Sequence, residues 1–108
     1  MNPIKNKGIP IELDKTRHLL LNLNSMVELE ERYGTLDKAL DTLSPENGSP
    51  SMKEIRYLLY LSLAHEDETL TEKDAGNLIT LGNINEVVDA LGKAMNTSLP
   101  EVGEDEKN

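Results

Sequence analysis

The 108-residue chain contains no cysteine, no tryptophan and no phenylalanine. Without cysteine it can form neither a disulfide nor a thiolate metal site. Three tyrosines are its whole aromatic content, so its core has to be built mainly from Leu, Ile, Val and Met. Positive charge is scarce as well: 11 Lys and Arg stand against 20 Asp and Glu, a formal net charge of -9. Phosphate attraction needs cations in excess, so neither nucleic acid nor an anionic membrane is an expected primary partner. No apolar run approaches the length that spans a bilayer. The opening MNPIKNKG lacks the apolar stretch of a secretory leader, which makes the cytoplasm the default address. A chain of this length suits one domain with a single modest core.

The most informative stretch runs from Ser51 to Ile79, SMKEIRYLLYLSLAHEDETLTEKDAGNLI. Ser51 and Glu54 have the spacing of a capping box, which satisfies the backbone donors that a new helix leaves orphaned. Behind them Ile55, Tyr57, Leu58, Leu59, Tyr60, Leu61, Leu63 and Ala64 are apolar around almost the whole circumference. A helix of that kind belongs at the centre of a domain. A charged turn from His65 to Glu68 follows, and Thr71 with Asp74 opens another capped helix carrying Ala75, Leu78 and Ile79, expected to end at Gly82.

Upstream the period is different. IPIEL places Ile9, Ile11 and Leu13 on one side, Asp14-Lys15-Thr16 makes a turn, and Leu19, Leu21 and Leu23 alternate again. Two alternating runs across a short polar link predict a β-hairpin, with an extended arm as the alternative. Leu20 breaks the alternation on the outer side. From Asn24 onward the pattern is helical. Ser25 and Glu28 are spaced to cap a helix holding Met26, Leu29 and Tyr33, with Gly34 as its stop. Thr35 can cap a second, short helix with Leu36, Ala39, Leu40 and Leu43 on one face. Ser44 to Ser51, SPENGSPS, has the composition of a linker. Asn83 and Glu86 start the last helix, whose stripe is Ile84, Val87, Val88, Leu91 and Met95. The expected architecture is therefore α+β but mostly α: an N-terminal hairpin, then a compact bundle of about five helices around a buried central one. Residues 1–8 are expected as a flexible start, 9–99 as the single domain, and 100–108 as a disordered acidic tail.

Chemistry is sparse. His18 and His65 are the only histidines, and a histidine near a helix C-terminus is favoured by the dipole without any catalytic role. His65, Glu66, Asp67, Glu68, Glu72 and Asp74 invite a metal reading, but they lack the register of a calcium loop, and a solvated helix corner accounts for their polarity. Ser25 and Ser51 sit in cap positions and not in the setting of a nucleophile. The glycines form no phosphate loop. No catalytic residue, cofactor or metal is assigned, and an enzyme is not expected. Tyr57 and Tyr60 can serve as partner anchors or as core.

The ordered set of pieces nonetheless resembles a known family. The hairpin segment IPIELDKTRHLLLNL, the helix MVELEERYG, the helix LDKAL and the segment KEIRYLLYLSLAHEDETLTEKDAGNLI look like the tail assembly chaperones of long-tailed bacteriophages. They are similar in particular to the branch grouped with gene-transfer-agent tail proteins. The matching pieces are Leu29-Glu30 with Gly34, Leu58 to Leu63, Glu66, and Leu70-Thr71, and the likeness spans Ile9 to Leu99. Tyr60 stands where members often carry Trp. The resemblance implies a non-catalytic protein of the host cytoplasm, made during infection or from a prophage and absent from the finished virion. It implies that the chain binds the tape-measure protein, keeps it soluble and helps recruit tail-tube subunits; the hairpin edge adds the expectation of weak self-association.

The protein-interaction residues expected on this basis are Ile11, Leu13, Leu20 and Leu21 of the hairpin, with Tyr57 and Tyr60. The edge of the strand running to Leu23 is expected to lie open and to pair with another copy or a partner, since Pro10 blunts only the other edge. The resemblance also implies a longer form made by ribosomal slippage, since such chaperones are often made in two lengths and Glu106-Lys107-Asn108 can be encoded over the slippery heptamer A-AAA-AAC. A tail protein retained in the virion and an acidic host-directed binding module are the alternatives.

Overall fold

Seven of the twelve residues of the helix Met52–Leu63 are buried, and the rest of the fold is arranged around it. The description rests on a computed structural model and covers residues 8–42 and 50–98. In chain order the elements are β1 (Ile9–Glu12), β2 (Thr16–Leu19), α1 (Leu23–Tyr33), α2 (Leu36–Thr42), α3 (Met52–Leu63), α4 (Glu72–Asn77) and α5 (Ile84–Ser98). The architecture is α+β and mostly α, an antiparallel hairpin followed by five helices. The expectations for the N-terminal residues before Gly8, the linker at 43–49 and the tail after Ser98, slippage site included, lie outside the described residues.

The central helix begins as its spacing predicts. The Glu54 amide donates to Ser51 Oγ at 3.2 Å, and the Ser51 amide donates to Glu54 Oε1 at 2.9 Å. Leu59, Leu63 and Ser62 have no exposed surface, and α3 packs on β2, α4 and α5. The α5 stripe of Val87, Ala90, Leu91 and Ala94 closes the other side of the core. β1 lies against α5, so the hairpin bridges the first and last parts of the domain.

Three boundaries differ from the sequence reading. β2 ends at Leu19 and does not run to Leu23. The Leu20 amide is already taken by the Ser62 carbonyl at 3.0 Å, and Asn22 then caps α1. That cap is the second correction: the box is Asn22 with Ser25, not Ser25 with Glu28. Ser25 is buried, and its hydroxyl accepts from the Asn22 amide at 3.2 Å, so the helix starts a turn earlier than expected. Its stop is as predicted, with Gly34 at φ +99° donating its amide to the Glu30 carbonyl.

Third, α4 ends at Asn77 and does not continue toward Gly82. The amides of Leu78 and Ile79 reach back only three residues, to Ala75 and Gly76. Asn83 holds this turn: its Nδ2 donates to the Leu78 carbonyl at 3.0 Å, and its Oδ1 accepts from the Thr80 amide at 2.8 Å. Its side chain therefore faces backward into the turn, while its carbonyl accepts the first bond of α5 from Val87.

Candidate protein-interaction surface

The six expected interaction residues are drawn inward. Ile11, Leu21 and Tyr57 are buried in the core. Leu13 and Tyr60 are half-buried and pack against it, and Leu20 is half-buried just beyond β2. Tyr57 and Tyr60 do come together, with ring centroids 6.3 Å apart. The Tyr57 hydroxyl donates to the Glu28 carbonyl of α1 at 3.3 Å, and burial pushes its pKa above the ordinary value. The Arg32 guanidinium lies 3.7 Å over the Tyr57 ring. Tyr57 therefore ties α1 to α3 and is 7 % exposed.

The outer edge of β2, expected to be open, is covered at its C-terminal end. Ile9 pairs with Leu19, Pro10 with His18 and Ile11 with Arg17. The His18 amide faces away from β1 and donates to Glu66 Oε2 at 2.8 Å. His65 Nε2 donates to the His18 carbonyl at 2.7 Å, in the tautomer that carries its proton there, and the Leu20 amide reaches Ser62. The end of α3 and the corner after it thus supply, at His18 and Leu20, partners that a docking strand would have supplied. At these two residues the edge is not open, contrary to the expectation for that strand.

The same corner anchors Arg17, which the sequence reading passed over. Its guanidinium donates twice to Asp14, at 2.8 Å each, and once to Asp67 at 3.4 Å. The paired hydrogen bonds from Arg17 hold the Asp14 pKa at about 2. Asp67 is also lowered, first by the Thr69 hydroxyl and then by Arg17. The signal was present: with Leu19 facing inward, a period of two puts Arg17 on the core face. Among the described residues no three His, Asp or Glu side chains gather as metal ligands.

What is left on the outside is a different surface. Met52 is 67 % exposed and Leu81 91 % exposed. They form the lips of a cleft of about 660 Å³ between α3, α4 and the start of α5. Ile55, Ile79 and Ile84 make its apolar floor. Lys53, Arg56 and Lys73 line it, and no carboxylate does. Gly76 makes room for the Arg56 stem, since a Cβ there would meet Arg56 Cδ at 2.9 Å. Arg56 reaches Glu72 at 3.7 Å, and Arg32 reaches the same carboxylate at 3.9 Å. Two further apolar side chains, Leu23 and Val27, are exposed on α1. Met52 and Leu81 fall on no stripe, which is why periodicity did not mark them.

A second groove, of about 360 Å³, runs between β1 and α5 and has the opposite character, with Glu12, Glu86 and Asp89 against a single Lys93. Lys93 is already paired with Asp89 at 3.4 Å. Among the described residues no helix is long and apolar enough to cross a membrane. Comparison with protein-family models, with curated proteins and with solved structures returned no match.

Proposed function

We propose that this chain is a tail assembly chaperone of long-tailed bacteriophages, a non-catalytic protein that acts in the host cytoplasm and does not remain in the virion. It binds the tape-measure protein, keeps that long helical molecule soluble and helps bring tail-tube subunits to it. The reading rests on the ordered resemblance from Ile9 to Leu99. The observation that carries it is the cleft between α3, α4 and α5, whose apolar floor and exposed lips suit the apolar face of a helix. The net charge of -9 supports the solubilising part of the role, because a coat of like charge keeps complexes apart.

Co-expression with the tape-measure protein of the same genome tests the proposal. The tape-measure protein is expected to move from the pellet to the soluble fraction and to co-purify with this chain. If it stays in the pellet beside folded, soluble chain, or if this chain is found stoichiometrically in purified virions, the reading fails.

A further inference from the structure

We propose that the cleft between α3, α4 and the start of α5 receives an amphipathic helix whose apolar stripe is flanked by carboxylates, and that it discriminates against the same helix flanked by lysines. This deepens the chaperone reading and rests on it for the source of the helix, but its chemistry comes from the cleft itself.

The lining is mixed in a specific way. Its apolar part, Met52, Ile55, Ile79, Leu81 and Ile84, matches the repeating anchors of one helix face. Its charged part is entirely cationic, in a molecule whose overall balance is strongly acidic. Nearby acids pair Arg56 but leave Lys53 and Lys73 uncompensated. Glu54 and Asp74 are folded back into the caps of α3 and α4, and Glu72 lies between Arg32 and Arg56. Lys53 and Lys73 have no ion pair among the described residues.

Both lysines also occupy the second position of a helix, Lys53 in α3 and Lys73 in α4. A cation in the first turn opposes the helix dipole, so local stability alone would favour acids there. Their common direction into one apolar cleft makes them complementary to carboxylates brought by a partner. Two other occupants have part of this chemistry. The α1 face of a second copy offers Leu23 and Val27 beside Glu28 and Glu31, but only two anchors. Residues 101–108 of the chain are acidic, but Val102 is their single large apolar side chain.

Fluorescence anisotropy of the full chain with two labelled peptides, each of about five helical turns, tests the assignment. The peptides share one leucine stripe and differ only in flanks of Glu or Lys. The Glu-flanked peptide is expected to bind about tenfold tighter at low salt. Lys53→Glu with Lys73→Glu should abolish or invert that preference, with far-UV circular dichroism unchanged. Met52→Ser with Leu81→Ser should weaken both peptides. Equal binding, a preference for the Lys-flanked peptide, or a preference unmoved by the lysine reversals overturns the proposal. If Leu23→Ser with Val27→Ser raises peptide affinity, a second copy fills the cleft and the proposal is overturned. A rise in affinity on replacing Glu104, Asp105 and Glu106 by serine would assign the cleft to the tail and overturn it equally. Loss of peptide discrimination with tape-measure solubilisation intact sinks the cleft assignment alone.

Discussion

Arg17 is 6 % exposed and sits opposite Ile11 on the inner face of the hairpin, so its stem is part of the core while its tip reaches two carboxylates at the edge. Truncation removes both contributions. Arg17→Ala should lower stability by about 1.5–3 kcal/mol, read from urea denaturation. The pair with Asp14 also sets a pH dependence. Because the folded pKa of Asp14 is depressed, its contribution is complete above the ordinary value of 3.8 and is lost as pH falls through about 2. Asp14→Asn should therefore melt below the wild type at neutral pH, and the gap should close toward about pH 2. Gly34 is a different kind of residue-scale constraint. Its φ of +99° is one that side chains rarely adopt, so Gly34→Ala should cost about 1 kcal/mol or more in the same denaturation experiment.

At the scale of elements, the caps were the most legible feature. Ser51 with Glu54 and Thr71 with Asp74 close as their spacing predicts, because a capping box is a local interaction that needs no tertiary partner. Ser25 with Glu28 has the same spacing and was misread. The choice between it and Asn22 depends on where the chain leaves β2, and Ser62 of α3 decides that from 42 residues away through the Leu20 amide (62 minus 20). The hairpin itself was legible from alternation; the end of its second strand was not. That end reverses an expectation about Leu21. A strand-edge position would let Leu21→Pro weaken assembly and spare the helices. Leu21 is instead 4 % exposed in the core, so even Leu21→Ala should lose about 2–5 kcal/mol, and Leu21→Pro should show loss of helix by circular dichroism. Lys53 gives the opposite sign. Lys53→Glu alone places a favourable charge in the first turn of α3 and should stabilise the fold by about 0.3–1 kcal/mol while weakening the Glu-flanked peptide. A variant more stable and less able to bind is what a cation kept for a partner predicts.

For the whole molecule, the architecture was readable because one helix is apolar around almost its whole circumference and its neighbours are apolar on one face. Burial of that kind is written in period and composition. The cleft was not readable, since Met52 and Leu81 look like stray apolar residues until α3, α4 and the start of α5 bring them to one place. The same holds for the sorting of charge, with cations in one groove and acids along the other. With a net charge of -9 the folded state repels itself, and among the described residues the surface ion pairs are few and exposed. Added sodium chloride should therefore raise the melting temperature of the free protein while it weakens binding of the Glu-flanked peptide. A melting temperature that falls with salt would mean that the pairs at Arg17 and Glu72 outweigh the global repulsion.

Pro10 has a consequence for how this protein behaves when crowded. The His18 amide points to Glu66, so the positions of β1 that face away from β2 are Pro10 and Glu12, and one of those two has no N–H to give. A fibril grows only where a strand offers a donor at every second residue along an open edge. One edge of this hairpin is occupied at His18 and Leu20 by His65, Glu66 and Ser62, and the other is missing a rung. Backbone pairing through this hairpin is thereby disfavoured, which leaves side-chain contacts, weakened by salt, as its main route to neighbouring molecules. If the chain acts beside an aggregation-prone client as proposed, its hairpin is a poor template for a β-structured deposit.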